Sequence, residues 1–497
     1  MDDKRNNLMK KLSIYICVLL ALFASLPAAA APMEEQVVNI IVTSQKYDYS
    51  SPWQKGEITR ANITGCVIDG NRIVTSAYAI TDNVLIEVLK KGEPRKYSAR
   101  LLIRDYHCGL AVLTVPDAEF FNGLKPVEFS EGARLFGETA RVYKWDAMTN
   151  LKEYSAELNK SSIRFYEPGC GVLMHQFSTV MNEGGNGEPV FINGKLVGIT
   201  TGLSSETKTL YALASDMIRR MLKDLSSGAY EGMPFFWINS VDIQNDVNLR
   251  EYFGMGSGDS GVMATDVPSI SSGGDVLKKN DIILSINGTP IDDNGMYDSG
   301  RYGKLYYYGL IHLDKFVGDE IRMKILRDKK KIDVQFKLKP IPDNCCVIPL
   351  ISNDRQPRYY IFGGLVLQEL TIGYLESFGP EWKKKGEKRM LYYYDTVKSM
   401  ADEGADKKIV ILNKVLPDPV NKGYQYYGNL VLKKVNGTAA RDIAHLKKLV
   451  DDSQGRFVMF EFAGNSSIVL DKRSALTGEK ELLKKYNISS PYNDSDE

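Results

Sequence analysis

The sequence predicts a mainly β protein with several domains. Between about residues 37 and 213, short runs of β-forming residues alternate with turn residues, with no helical period between them. Strands at this density are typical of an all-β sandwich or barrel. The runs are 38–42, 65–68, 72–75, 84–89, 97–103, 110–115, 140–143, 171–174, 195–200 and 209–213. The chain has 497 residues, which suggests about three domains at roughly 100–200 residues each.

The N-terminal segment has the features of a secretory signal peptide. Basic residues precede an apolar run from Leu12 to Leu26, and a run of alanines follows. We expect cleavage near Ala30, so that residues 1–30 are removed. The alternative is a membrane anchor, but this run is shorter than the roughly 20 apolar residues that span a bilayer. We therefore expect a periplasmic or secreted protein without a membrane span.

The overall charge indicates no particular partner. Lys plus Arg number 63 and Asp plus Glu number 62, so no strong field favours nucleic acid, and we expect none as a partner. The cysteines and histidines lack the spacing of a metal site, so we expect no metal and no cofactor. The adjacent Cys345 and Cys346 could form a strained ring or remain thiols, and we favour thiols.

A glycine-rich loop at 182–188 leads into a predicted β-hairpin. Two apolar strands follow the loop, and the turn between them is Asn193-Gly194, a sequence typical of tight hairpins. Glycines allow successive backbone N–H groups to point into one hollow, as an oxyanion hole requires. Gly184, Gly185 and Asn186 form the centre of this loop.

This loop resembles the nucleophile loop of trypsin-like serine proteases of the HtrA/Deg family, where G-N-S-G-G-P precedes a strand, a turn and V-G-I. Asn186 stands in place of the serine. The family's T-x-x-H motif corresponds to the residues from Thr75, with Tyr78 in place of the histidine. Its D-L-A-V-L strand corresponds to 109–113, with Gly109 in place of the aspartate.

These replacements remove the chemistry of a serine protease. An amide is not a useful nucleophile, a phenol with a pKa near ~10 cannot act as a general base at neutral pH, and glycine cannot orient a base. Glu188 replaces a further glycine and would place a carboxylate near the position of an oxyanion. We therefore predict that the site has no catalytic residue and keeps only a remnant oxyanion loop, comprising Gly184, Gly185 and Asn186.

The resemblance implies a trypsin-like double β-barrel over residues 36–228, with two six-stranded barrels followed by two α+β PDZ domains. We expect a helix that is capped by Ser215 and ends at Gly228 to close the barrel domain. The first PDZ domain is expected at 232–340, because 275–288 resembles the A-G-L-K-x-G-D-x-I-x-x-V-N-G segment of PDZ domains.

The last part of the chain resembles the divergent second PDZ domain of long Deg proteases. A linker is expected at 341–356 and this domain at 357–472, since 429–437 weakly repeats the segment of the first. A short helix and an acidic tail, which we expect to be disordered, are predicted at 473–497.

PDZ domains add an extended peptide C-terminus to a sheet edge and bind its carboxylate through N–H groups of a glycine-containing loop. The two segments that correspond to this loop are Phe235-Phe236-Trp237-Ile238 and Phe362-Gly363-Gly364-Leu365. Trp237 replaces a glycine of the loop, so the first groove either binds peptide or is blocked by this side chain. The second loop keeps its glycines.

The resemblance and the lost triad together predict a non-catalytic polypeptide-binding scaffold, chaperone or adaptor in envelope protein quality control. Its expected partners are unfolded or C-terminal polypeptide segments. The family also implies a homo-oligomer, a trimer by resemblance, or a hetero-oligomer with an active paralogue. Two alternatives stay open, namely a regulatory subunit of an active Deg protease and an active serine endopeptidase with an unconventional site. The tyrosines at 306–308 could contact unfolded polypeptide, but packing is the commoner role.

Overall fold

The computed structural model describes residues 32–495 except 132–136, 147–149, 168, 244–245, 343–345 and 398–406. The predicted signal peptide and Cys345 lie outside these residues. Cys66 and Cys108 are buried free thiols. Cys170 and Cys346 are also buried. Within the described part of the chain, every helix is too short or too polar to cross a membrane.

Seven strands form the first sheet, in the order β5-β4-β1-β2-β3-β7-β6. They are β1 (Val37–Ser44), β2 (Thr59–Ile68), β3 (Arg72–Ser76), β4 (Asn83–Leu89), β5 (Tyr97–Ser98), β6 (Arg100–Asp105) and β7 (Leu110–Thr114). Only Ala99 separates the two edge strands β5 and β6, and its N–H donates to the Ile86 carbonyl at 2.9 Å. The chain therefore runs directly from one edge strand of the sheet to the other. The sheet has one strand more than the six we expected, because β5 forms a separate two-residue pairing with β4.

Six strands form a second, closed barrel in the order β10-β13-β12-β11-β8-β9. They are β8 (Thr139–Trp145), β9 (Leu151–Glu167), β10 (Cys170–Thr179), β11 (Pro189–Ile192), β12 (Lys195–Ser204) and β13 (Thr209–Ala214). Helix α1 (Ser215–Ser226) follows and buries Met217, Ile218 and Met221. Its N-cap is Ala214, which forms no side-chain bond. The predicted cap was therefore one residue off, since the buried Ser215 is already helical.

The middle part of the chain has a six-stranded sheet, in which β15-β16-β17-β21-β22 lie in this order and β18 pairs with β17, and two two-stranded sheets, β14-β23 and β19-β20. Its strands are β14 (Pro234–Phe235), β15 (Asn239–Val241), β16 (Val262–Asp266), β17 (Ile282–Ile286), β18 (Thr289–Pro290), β19 (Met296–Asp298), β20 (Lys304–Tyr306), β21 (Glu320–Arg327), β22 (Lys330–Lys337) and β23 (Lys339–Pro340). Two short helices are α2 (Val247–Phe253) and α3 (Gly309–His312). One hydrophobic cluster runs from the second barrel into this unit.

The last unit is a seven-stranded sheet in the order β29-β28-β27-β26-β25-β24-β30. Its strands are β24 (Tyr359–Phe362), β25 (Leu365–Glu369), β26 (Val410–Val415), β27 (Gly428–Val435), β28 (Phe457–Phe462), β29 (Ser467–Asp471) and β30 (Tyr492–Asn493). Its helices are α4 (Ile372–Glu376), α5 (Trp382–Lys385), α6 (Lys388–Tyr392), α7 (Ile443–Asp451) and α8 (Lys472–Lys485). The expectation of a disordered tail was wrong for Tyr492 and Asn493, because they pair with β24.

Candidate functional site

The glycine-rich loop before β11 encloses a buried carboxylate. Glu188 is only 1% exposed. Its Oε2 accepts the backbone N–H groups of Gly185 at 2.9 Å and Asn186 at 2.8 Å. The Thr200 hydroxyl on β12 donates to the same oxygen, and it accepts the Glu188 N–H at 2.9 Å. The loop's own carboxylate thus occupies the Asn186 N–H, one of the donors that an oxyanion hole at this loop would offer to a substrate.

The shape of this loop depends on Gly187. Its φ is +99°, and a Cβ there would stand 2.2 Å from the Thr75 hydroxyl oxygen and 2.6 Å from the Thr64 carbonyl oxygen. Thr64 and Thr75 belong to β2 and β3 of the first sheet. A side chain at 187 would therefore force the loop away from the first sheet. The glycine brings Asn186, which is exposed, close to the end of β3.

Tyr78 lies just beyond β3, in a short 3₁₀ helix. Its hydroxyl donates to the Tyr106 carbonyl at 3.0 Å. Its ring centroid lies 5.2 Å from that of Tyr106 and 5.6 Å from that of Tyr166. The phenol is 37% exposed. The position that the family assigns to a general base is thus part of a cluster of three tyrosines.

Gly109 lies against the same cluster. Its carbonyl accepts the N–H of Ala77 at 3.0 Å, which places it beside Tyr78. Its φ is +76°, and a Cβ there would meet the Tyr166 ring at 3.1 Å. Burial raises the pKa of Tyr166 to about 12, so this phenol is protonated at neutral pH. Tyr166 therefore fills the space that an orienting side chain at 109 would need.

The structure thus brings positions 78 and 109 together and places position 186 on the loop that packs against β2 and β3. Our sequence analysis did not identify Tyr106, Tyr166 or Thr200 as parts of this site. Their signal was weak, because tyrosines and threonines are common in strands. The residues at these three positions, Tyr78, Gly109 and Asn186, do not provide the nucleophile and the base of a serine protease.

The loop that corresponds to the first PDZ carboxylate loop has its donors already bonded within the chain. The Phe236 N–H donates to the Gly169 carbonyl at 3.1 Å. The Trp237 N–H donates to the Ser271 hydroxyl at 2.7 Å, and the Ile238 N–H to the Tyr308 hydroxyl at 2.9 Å. Phe235, Phe236, Trp237 and Ile238 are all buried. A peptide carboxylate would reach these N–H groups only after their present partners had moved.

Tyrosines also fill the groove beside this loop. Ser240 on β15 shares hydrogen bonds with the hydroxyls of Tyr306 at 3.0 Å and Tyr307 at 3.2 Å. The Tyr308 hydroxyl donates to the Ile238 carbonyl at 3.0 Å. These contacts support the alternative that the first groove is blocked, although by tyrosines as well as by Trp237. They also give the tyrosines at 306–308 a packing role.

The second candidate loop is the tight turn between β24 and β25. Gly363 and Gly364 have φ values of +53° and +86°. The Asn421 amide donates to the Gly363 carbonyl at 2.8 Å, and a Cβ at Gly364 would stand 2.3 Å from its nitrogen. Phe362 and Leu365 are buried. Since β25 pairs with β24 on one side and β26 on the other, it has no open edge for a peptide. Peptide binding by this loop stays a prediction.

The comparisons with known proteins agree with this architecture. A family model described as a PDZ domain matches residues 348–495. The chain is 27% identical to the protein named "Protease Do-like 2, chloroplastic" of Arabidopsis thaliana, over 91% of this chain and 74% of that protein. It is 25% identical to "Protease Do-like 4, mitochondrial" of the same plant, over 91% of this chain and 84% of the relative.

Among solved structures, the chain is similar to one described as the HtrA-type protease AlgW with a decapeptide, with a TM-score of 0.47 and 16% identity. That match covers 62% of this chain and 95% of the other. The chain is therefore a homologue of the proteins named Do-like proteases, which match it over most of its length, and it has a mainly β fold with a PDZ domain in its last third.

Proposed function

We propose that the chain is a non-catalytic polypeptide-binding protein of this homologous group, acting in protein quality control as a scaffold, chaperone or adaptor. The observation that carries the proposal is the hydrogen bond from the Asn186 N–H to the buried Glu188 carboxylate. An oxyanion hole must offer free N–H groups to a developing negative charge. Here the Glu188 side chain already accepts the Asn186 N–H, so this donor is not free to stabilise a tetrahedral intermediate.

The residues around the loop support the same proposal. A serine protease needs a nucleophile, a base and a group that orients the base. Asn186 supplies an amide, Tyr78 a phenol bonded to a carbonyl, and Gly109 no side chain. Asn186 and Tyr78 are both exposed and could contact a polypeptide without cutting it.

The assembly and location are part of the proposal. We propose a homo-oligomer, a trimer by family resemblance, or a hetero-oligomer with an active paralogue. We also propose that residues 1–30 direct export, because an apolar run follows the basic residues there. The two relatives described above have chloroplastic and mitochondrial in their names. Sequencing the N-terminus of the protein purified from its native cells would test the export proposal, and a mature chain that begins at Ala31 supports it.

Incubation of the purified mature chain with unfolded casein and a fluorophosphonate probe tests the loss of catalysis. We expect no cleavage and no covalent adduct by mass spectrometry. Cleavage together with a labelled serine would overturn the proposal and identify the nucleophile. An active homologue incubated in parallel shows that the assay works.

The binding part of the proposal needs a separate measurement. We expect the intact chain to bind fluorescein-labelled unfolded casein, and Tyr78→Ala to weaken this binding several-fold. The matched control is Tyr426→Ala, since Tyr426 is 91% exposed and belongs to the last unit. Equal affinities of the two variants would count against the cleft as the binding surface.

A further inference from the structure

The outer edge of the last sheet is covered by a short segment of the chain itself. Residues 490–495, here called the edge segment, contribute β30 beside β24. Tyr359 pairs with Asn493 and Tyr360 with Tyr492. The N–H of Ile361 donates to the Pro491 carbonyl at 2.7 Å. Since β30 is the outermost strand, β24 has a free edge whenever the edge segment leaves.

Two side chains extend this backbone pairing. The Tyr359 hydroxyl donates to the Ser490 carbonyl at 3.0 Å. The Asn493 amide donates to the Pro357 carbonyl at 3.2 Å. These bonds join the segments that flank β24 and β30. The contact is therefore mainly one of backbone groups, with an amide side chain at a defined position.

An aromatic and cationic contact sets a second side-chain preference. The Tyr492 ring stands edge-on to the Tyr360 ring, with centroids 6.0 Å apart. The Lys447 ammonium lies 5.5 Å from the centroid of Tyr492 and 5.9 Å from that of Tyr360. An ammonium group near an aromatic face is attracted by the negative face of the ring. The side chains that contact this edge are thus those of an aromatic residue and of the asparagine next to it.

The edge segment is held less firmly than the strand it covers. Tyr359 and Tyr360 are 1% and 3% exposed, whereas Pro491, Tyr492 and Asn493 are only half-buried. A ladder of two residue pairs at a sheet edge opens at a lower free energy than the core strands. An opened edge offers unpaired N–H and C=O groups to any extended chain.

We infer that the outer edge of β24 is a strand-addition site for an extended segment of another polypeptide, and that the edge segment is its resident, displaceable ligand. The incoming segment would carry an aromatic residue followed by asparagine, as in Tyr492-Asn493. Strand addition supplies affinity through the backbone and specificity through alternate side chains. The inference does not use the protease-like cleft and stands independently of the proposed function.

Because the edge segment is covalently joined to the rest of the chain, it occupies this site unless it is displaced. A segment joined by a short linker competes at an effective concentration on the order of mM. A partner segment that binds the free edge with micromolar affinity is therefore excluded until the edge segment is released. This competition can be measured as a difference between intact and cut chains.

The experiment uses the full chain with a protease-cleavage sequence inserted after Ser489, which is exposed. The protein folds with its edge segment in place and is then cut. The probe is a fluorescein-labelled peptide with the sequence of residues 488–495, and its binding is followed by anisotropy. We expect the cut chain to bind the peptide at least about 100-fold more tightly than the intact chain. A peptide with Tyr492→Ser and Asn493→Ala should bind at least about tenfold more weakly.

Two further variants sharpen the result. Lys447→Ala in the cut chain should weaken peptide binding several-fold, whereas Lys448→Ala, an exposed neighbour on α7, should not. A chain truncated after Ser489, with its fold checked by circular dichroism, should bind the peptide as the cut chain does. The inference is overturned if the severed segment never exchanges with excess peptide, because β30 is then an ordinary strand of the domain. Equal binding of the native and substituted peptides would also overturn it.

Discussion

The Glu188 carboxylate accepts the Asn186 N–H at 2.8 Å, within the loop where a serine protease would stabilise an oxyanion. The same oxygen accepts the Gly185 N–H at 2.9 Å, so one buried side chain holds both donors. This relationship links the stability of the loop to the proposed loss of catalysis, because the bonds that shape the loop also occupy its N–H donors.

Removing this carboxylate should destabilise the barrels. In Glu188→Ala, the buried Gly185 N–H, the partly buried Asn186 N–H and the Thr200 hydroxyl lose their acceptor, and each unpaired buried group costs about 1–3 kcal/mol. We expect the free energy of unfolding to fall by at least about 2 kcal/mol in urea titrations. Glu183→Ala is the matched control, since that side chain is 83% exposed and should change stability by less than about 1 kcal/mol. Similar losses in both variants would contradict the role assigned to Glu188.

Restoring the serine should not restore catalysis. Asn186→Ser still lacks a base and an orienting group, and it retains the Glu188 carboxylate at the loop. We expect no fluorophosphonate adduct by mass spectrometry, even when Tyr78→His is added. Adding Gly109→Asp should further destabilise the chain, because φ is +76° there and Tyr166 stands 3.1 Å from the new Cβ. An adduct in the single variant would show that the triad positions were misassigned.

The stability of the second barrel should depend on pH through His175. Burial lowers the pKa of His175 from 6.5 to about 4. Asp216 raises this pKa and Arg301 lowers it, both by smaller amounts. The unfolded chain takes up this proton between about pH 6.5 and 4, but the folded chain does not. The contribution to stability is therefore complete above about pH 6.5 and lost as the pH falls towards 4, by on the order of 3 kcal/mol.

Urea titrations at several pH values between 7 and 4.5 test this dependence. His175→Gln should reduce the decline in the free energy of unfolding, because glutamine does not titrate. The decline that remains is expected from His312, since burial also lowers its pKa to about 4. His445→Gln, a change in the last unit, should leave the decline as in the native sequence. A decline that His175→Gln leaves unchanged would assign the pH dependence to other groups.

The turn between β24 and β25 should tolerate no side chain at its second glycine. Gly364→Ala places a Cβ at a φ of +86° and 2.3 Å from the Asn421 amide nitrogen. Gly437→Ala has a similar φ of +79° with open space around the Cβ, so it isolates the backbone strain. Left-handed strain costs about 1–3 kcal/mol, and we expect Gly364→Ala to lose at least about 1 kcal/mol more than Gly437→Ala. Equal urea midpoints would show that Asn421 moves aside without cost.

Much of the architecture could be predicted from local sequence. The short apolar runs and the Asn193-Gly194 turn determine strand pairing locally, as the hairpin of β11 and β12 shows. The length of β9 could not be predicted, because Leu151–Glu167 lacks a regular alternation of apolar and polar residues. The N-cap of α1 was misplaced because serine favours both the cap and the first turn.

The sequence by itself determined which chemical groups stand at positions 78, 109 and 186, because a residue's identity decides whether it can act as nucleophile or base. Only the tertiary structure decided what fills the space around them. Tyr166 reaches Gly109 from a different barrel, and Tyr308 binds Ile238 from a distant helix end. Likewise, Tyr492 and Asn493 form a strand only because they pair with the edge of β24. Such contacts join residues far apart in the chain, and their free energy depends on packing geometry, which no local pattern records.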